Sequence, residues 1–170
     1  KGNRCMSSTS KLCGCKKENE VDDILDNNHI LNDMEDSYEE VSLVSESIVG
    51  NIERSKILLE QGKDINITDN FGNTALHIAS FNGNKDMVEL LLNYEDNINY
   101  KNNEGETALH RSCQREHQDI VDLLLEKRAD VNAFSKDGIR PIQTACQLEN
   151  IGMVTTLLGR GAIVEVRDKY

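Results

Sequence analysis

Residues 69–101 read DNFGNTALHIASFNGNKDMVELLLNYEDNINYK, and residues 102–134 read NNEGETALHRSCQREHQDIVDLLLEKRADVNAF. Laid over each other without a gap, the two rows agree at 12 of 33 positions, which marks an internal repeat. Gly72, Thr74, Ala75, Leu76 and His77 fall on Gly105, Thr107, Ala108, Leu109 and His110. Further along, Met87-Val88, Leu91-Leu92 and Ile98-Asn99 fall on Ile120-Val121, Leu124-Leu125 and Val131-Asn132. The next row, 135–167, supplies Gly138, Pro141, Ile142, Ala145, Met153-Val154, Leu157-Leu158 and Val164. The row before, 36–68, keeps Leu43, Gly50, Leu58, Leu59, Gly62, Ile65 and Asn66, but has Glu39 for the turn Gly and Val44 for the His. It reads as a degenerate terminal repeat with one neighbour. Asp168-Lys169-Tyr170 stands where another row would begin.

Within a row, a Gly-containing turn leads into an apolar pattern at Thr74 to Phe81, a break at Gly83-Asn84, and a second pattern at Met87, Val88, Leu91 and Leu92. Both patterns have the i, i+3, i+4 spacing of a helix with one buried face. The unit is turn, helix, loop, helix. Helices of about 8 to 10 residues are marginal alone, so each row must bury its leucines against the next. The composition agrees: 38% hydrophobic but 4% aromatic, with no Trp and one Pro, which suits a Leu/Ile/Val/Ala helical core better than a β-sandwich.

The motif copies Thr74-Ala75-Leu76-His77-Ile78-Ala79, Thr107-Ala108-Leu109-His110-Arg111-Ser112 and Arg140-Pro141-Ile142-Gln143-Thr144-Ala145 resemble the T-P-L-H-x-A signature of the ankyrin repeat family, over about residues 36 to 167. The resemblance implies an all-α solenoid of stacked helix-turn-helix units joined by β-hairpin-like turns, with repeats at 36–68, 69–101, 102–134 and 135–167. Arg140 and Gln143 depart from the signature and put the turn-to-helix hydrogen bonding of the fourth repeat in question. Residues 1–35 carry no period and read as a disordered acidic and polar segment, with Val21, Ile24, Leu25, Leu31 and Met34 able to form a short amphipathic helix or part of a solvated linker.

Thirty acidic against 19 basic residues give a formal charge of −11, the wrong sign for phosphate-backbone or anionic-membrane binding. No apolar run approaches the roughly 18 residues of a membrane span. Five cysteines without framework spacing point to a reduced chain of the cytoplasm or nucleus, where the Asn66-Ile67-Thr68 glycosylation triplet is inert. Cys13-Gly14-Cys15 beside Lys16-Lys17 is open to several readings: exposed thiols, a redox pair, a metal site with Cys5, or S-acylation that would tether an adaptor.

No repeat brings a nucleophile, a His and a carboxylate together, so no enzymatic activity and no cofactor are expected. His110, Cys113 and His117 have metal-like spacing but number one fewer than structural zinc takes. His77 and His110 are read as hydrogen-bonding neighbouring turns, as the family resemblance implies. Cys113 and Cys146, equivalent across repeats, read as small buried groups. By the same resemblance, a protein partner would meet the turn tips and the concave face of the first helices. In the second repeat those positions are Asn70, Phe71, Asn73, Phe81, Asn82 and Lys101. In the third they are Asn103, Glu104, Glu106, Gln114, Arg115 and Phe134, and in the fourth Lys136, Asp137, Ile139, Gln147 and Leu148. All three Phe of the chain fall in this set, as binding anchors or as rings folded onto the adjacent repeat. Asn132, in Ala129-Asp130-Val131-Asn132-Ala133, resembles the Asn that an oxygen-sensing hydroxylase modifies in some ankyrin proteins, and also suits a plain turn-closing role. The chain is thus expected to be a protein-interaction module (adaptor, scaffold or inhibitor), or the regulatory segment of a larger enzyme or membrane protein. The net charges of −4, −3 and −3 on the first three repeats against +1 on 135–170 favour a basic partner.

Overall fold

The computed structural model describes residues 42–94 and 97–164, within a compact unit spanning Glu39–Tyr170. The tail with Cys5, Cys13, Cys15 and the apolar stretch from Val21 to Met34 lies outside the described residues, as do Asp168 to Tyr170.

Eight helices follow in pairs: α1 Leu43–Val49 and α2 Ile52–Glu60, α3 Ala75–Asn82 and α4 Lys85–Leu92, α5 Ala108–Gln114 and α6 Gln118–Glu126, α7 Pro141–Gln147 and α8 Ile151–Gly159. The described residues contain no named strand, only an isolated bridge between Thr68 and Thr74. First helices stack on first helices and second on second. The core is made of columns spaced by the repeat: Leu43, Leu76, Leu109 and Ile142; Met87, Ile120 and Met153; Leu58, Leu91, Leu124 and Leu157, all buried.

Local chemistry sets each boundary. The second helices α2, α4 and α8 start at Asn51, Asn84 and Asn150, whose side-chain oxygens accept the amides of Arg54, Met87 and Met153. Gly50 and Gly83 end α1 and α3 in the left-handed region. Glu116 and Glu149 hold the same positions in the later repeats with φ of 58° and 57°, and the Glu116 carboxylate accepts from Asn150 Nδ2 at 3.0 Å. Pro141 opens α7, where a missing N–H is harmless.

Between repeats, Asp69 and Asn102 each organise a tight turn. Asp69 Oδ1 accepts from the amides of Phe71 and Asn73, and Asn102 Oδ1 from those of Glu104 and Glu106. Successive turns are tied by backbone bonds from Asn103 N to Phe71 O at 2.9 Å and from Lys136 N to Glu104 O at 2.8 Å. A second line of ties uses Asn99, which accepts the Asp130 amide, and Asn132, which accepts the Ile163 amide and donates to Gly161 O.

Candidate partner-binding surface

The first helices α1, α3, α5 and α7 pack more closely on one another than the second helices do, and their row is termed the inner side of the helix pairs. Their fixed orientation begins at the turn-helix junction. His77 Nδ1 lies 3.3 Å from the Thr74 amide and 2.8 Å from Thr74 Oγ1, and its Nε2 lies 3.0 Å from the Glu106 carbonyl. An amide can only donate and a carbonyl only accept, so the proton sits on Nε2 and the ring is neutral. His110 repeats the arrangement with Thr107 and the Ile139 carbonyl. Burial lowers the pKa of both rings from the ordinary 6.5, in keeping with that neutral form.

In the fourth repeat the bond in question is kept by a different group. Gln143 Oε1 accepts the Arg140 amide at 2.8 Å, taking the role of the imidazole Nδ1. Arg140 turns away over the Phe134 ring, 4.4 Å from its centroid, and donates to the Ile163 carbonyl.

Each first helix turns its core residues inward and leaves an i, i+3, i+4 triplet unburied, α7 leaving Gln143 and Cys146 unburied as well. These triplets are Ser45, Ile48 and Val49; Ile78, Phe81 and Asn82; Arg111, Gln114 and, just past the helix, Arg115; Thr144, Gln147 and Leu148. Ile48 is 62% exposed and Val49 79%. Phe81 is half-buried beneath the next repeat: the Arg111 guanidinium carbon lies 4.4 Å from its ring centroid and that of Arg115 4.7 Å. Arg111 also pairs with Glu106 at 3.2 Å, and Gln114 donates to the same carboxylate. The only carboxylate within the four first helices is Glu46, buried and 3.7 Å from Arg54. The second helices α4 and α6, by contrast, carry Asp86, Glu89, Asp119, Asp122 and Glu126.

The three Phe occupy three settings. Phe71, at a turn tip, is 69% exposed; Phe134 is 40% exposed beneath Arg140; Phe81 is clamped by two guanidiniums. Asn82, Glu104, Lys136 and Asp137 are exposed, as are Asn70, Asn103, Gln147 and Leu148. Lys101 is exposed along its stem, but its ammonium donates to the Phe134 carbonyl at 2.8 Å. Ile139 is half-buried, with its carbonyl engaged by His110. Asn73 differs from the exposed contact expected of it: it is 6% exposed, donates to Asp69 Oδ2 and accepts from Asn102 Nδ2, so its amide is spent on linking turns. Asn132 is half-buried with both ends of its amide engaged in the turn ties. The metal-like trio is dispersed in its bonding. His110 faces Ile139, His117 Nε2 donates to the Phe81 carbonyl, and burial pushes the Cys113 thiol up to about 12. No group of three or more His, Cys, Asp or Glu with metal-binding geometry occurs among the described residues. Cys146 is exposed, unlike its repeat equivalent.

The signals that sequence alone does not expose are Ile48, Val49 and Arg111. The first two sit in register with Phe81 and Asn82, in a terminal repeat whose motif has decayed; Arg111 shows itself only through its contacts with Phe81 and Glu106.

A family model of ankyrin repeats in three copies matches residues 43–135, and a second model of ankyrin repeats in many copies matches residues 113–158. No curated protein matches the chain.

Proposed function

The chain belongs to the ankyrin repeat family, and from that premise we propose that it acts without catalysis, as an adaptor, scaffold or inhibitor that holds a protein partner. Ankyrin repeats are protein–protein interaction modules in general. The observation that supports this reading is the inner face itself: Ile48, Val49, Ile78 and Phe81 lie side by side on first helices whose cores are complete without them. Apolar surface of that kind is costly to expose unless something covers it. The formal charge of −11, with the helical carboxylates other than Glu46 on the outer helices, favours a partner that is basic overall and is drawn in by long-range attraction. Two free cysteines in the described residues suit a reducing compartment, cytoplasm or nucleus.

The test is affinity capture from cells with the full chain and with a variant carrying Phe71→Ala, Phe81→Ala and Phe134→Ala. A partner retained by the first and lost by the second supports the reading, and its association rate should fall as salt rises. A partner held equally by both chains, or binding at a rate indifferent to ionic strength, counts against it.

A further inference from the structure

The inner face changes character along the stack. Over the first two repeats it presents Ile48, Val49, Ile78 and Phe81; at the third it presents two guanidiniums. The two are not equivalent. Arg111 is neutralised within the chain by Glu106. Arg115 is exposed, rests against the Phe81 ring, and has no carboxylate within ion-pair distance among the described residues. A guanidinium lying on an aromatic face keeps its edge N–H donors for a planar acceptor, and carboxylates are the acceptors that fit the fork. An unpaired cation beside apolar surface, on a row of first helices that carry no exposed carboxylate of their own, selects charge locally in the sense opposite to the long-range field.

We infer that this face receives an extended segment of a protein partner, apolar where it crosses Ile48, Val49, Ile78 and Phe81, and carrying an Asp or Glu side chain that pairs with Arg115. Packed helices lie about 8–10 Å apart and an extended chain advances about 3.3 Å per residue, so successive contacts fall about three residues apart in the segment. The recognised pattern is two apolar residues about three positions apart, with a carboxylate within about two positions of the second, because the Arg115 guanidinium lies only 4.7 Å from the Phe81 ring centroid. This rests on the interaction reading above and adds the chemistry of the contacting segment: a partner that is basic overall must still present an acidic side chain at this point.

The probe is a phage-displayed library of random dodecamer peptides, panned over the full chain and, in parallel, over Arg115→Gln, Arg115→Glu and the charge-matched outer-helix variant Lys56→Gln, at an exposed position of α2, each checked for an unchanged thermal midpoint. The expected outcome is enrichment of apolar–acidic peptides whose affinity falls roughly tenfold or more with Arg115→Gln and is untouched by Lys56→Gln. Panning over Arg115→Glu should then select Lys or Arg at the position of the carboxylate. Chain-specific peptides that lack a carboxylate, or that bind Arg115→Gln as well as the parent, overturn this inference and leave the interaction reading standing. If no peptide is enriched over any of the chains, the extended-segment inference fails, and the capture experiment above decides the interaction reading by itself.

Discussion

A neutral imidazole is a requirement of the junctions at Thr74 and Thr107, because Nδ1 accepts from both an amide and a hydroxyl there. A ring whose folded pKa lies below its unfolded value of 6.5 binds protons more readily when unfolded. Stability is therefore fully present above about pH 6.5 and is lost as pH falls from there through the lowered folded value. The thermal midpoint, followed from about pH 7.5 to about pH 5, should drop. In His77→Gln with His110→Gln the drop should be shallower, since Gln143 shows that an amide oxygen can serve the same junction. An equal acid dependence in parent and variant would place the sensitivity elsewhere. The aromatic rings divide by setting. Phe71→Ala should leave stability within roughly 0.5 kcal/mol, as an exposed tip residue should. Phe81→Ala forfeits two guanidinium contacts and should cost about 1–2 kcal/mol in chemical denaturation. A sequence shows which Phe stand at surface positions, but not that Arg111 and Arg115, 30 and 34 residues later, reach back over one of them. That contact depends on side-chain rotamers.

At the level of elements, the turn glycines differ in what they face. Gly105 and Gly138 have nearly the same backbone, with φ of 74° and 72°. A Cβ on Gly105 would stand 2.7 Å from the Lys136 backbone nitrogen, whereas one on Gly138 meets nothing within 4 Å among the described residues. Both Ala variants carry the left-handed penalty of roughly 1–2 kcal/mol, and Gly105→Ala should lose at least about 1 kcal/mol more, through the clash that forces the turns apart. Equal denaturation midpoints would mean that the ties between turns contribute little. The helices and their order were legible because the 33-residue period, the Thr-x-x-His junctions and the leucine columns all state the same local preference. Asn73 was misread as an exposed contact because turn-tip positions alternate in direction over single residues, and only the bonds to Asp69 and Asn102 fix which way its side chain turns. The charge sums by repeat mixed inner and outer helices, and so hid the cationic patch at Arg115.

For the whole molecule, stability is the sum of units and of contacts between neighbours, so a substitution matters most where it has a repeat on either side. Leu91→Ala and Leu124→Ala should each cost roughly 2–5 kcal/mol, since both side chains are wholly buried between repeats. Leu58→Ala, in the first described repeat and 9% exposed, should cost less. Denaturation curves in which all three are equally harmful would argue against additive stacking. The close packing of α1, α3, α5 and α7, against the looser column of second helices, also decides how the molecule can bend. Close-packed groups resist compression, so flexing fans the outer helices in and out around an inner column that keeps its length. The row from Ile48 through Phe81 to Arg115 lies on this closely packed column, so its spacing should hold when the outer helices shift, and a bound segment would be measured against marks that stay in place.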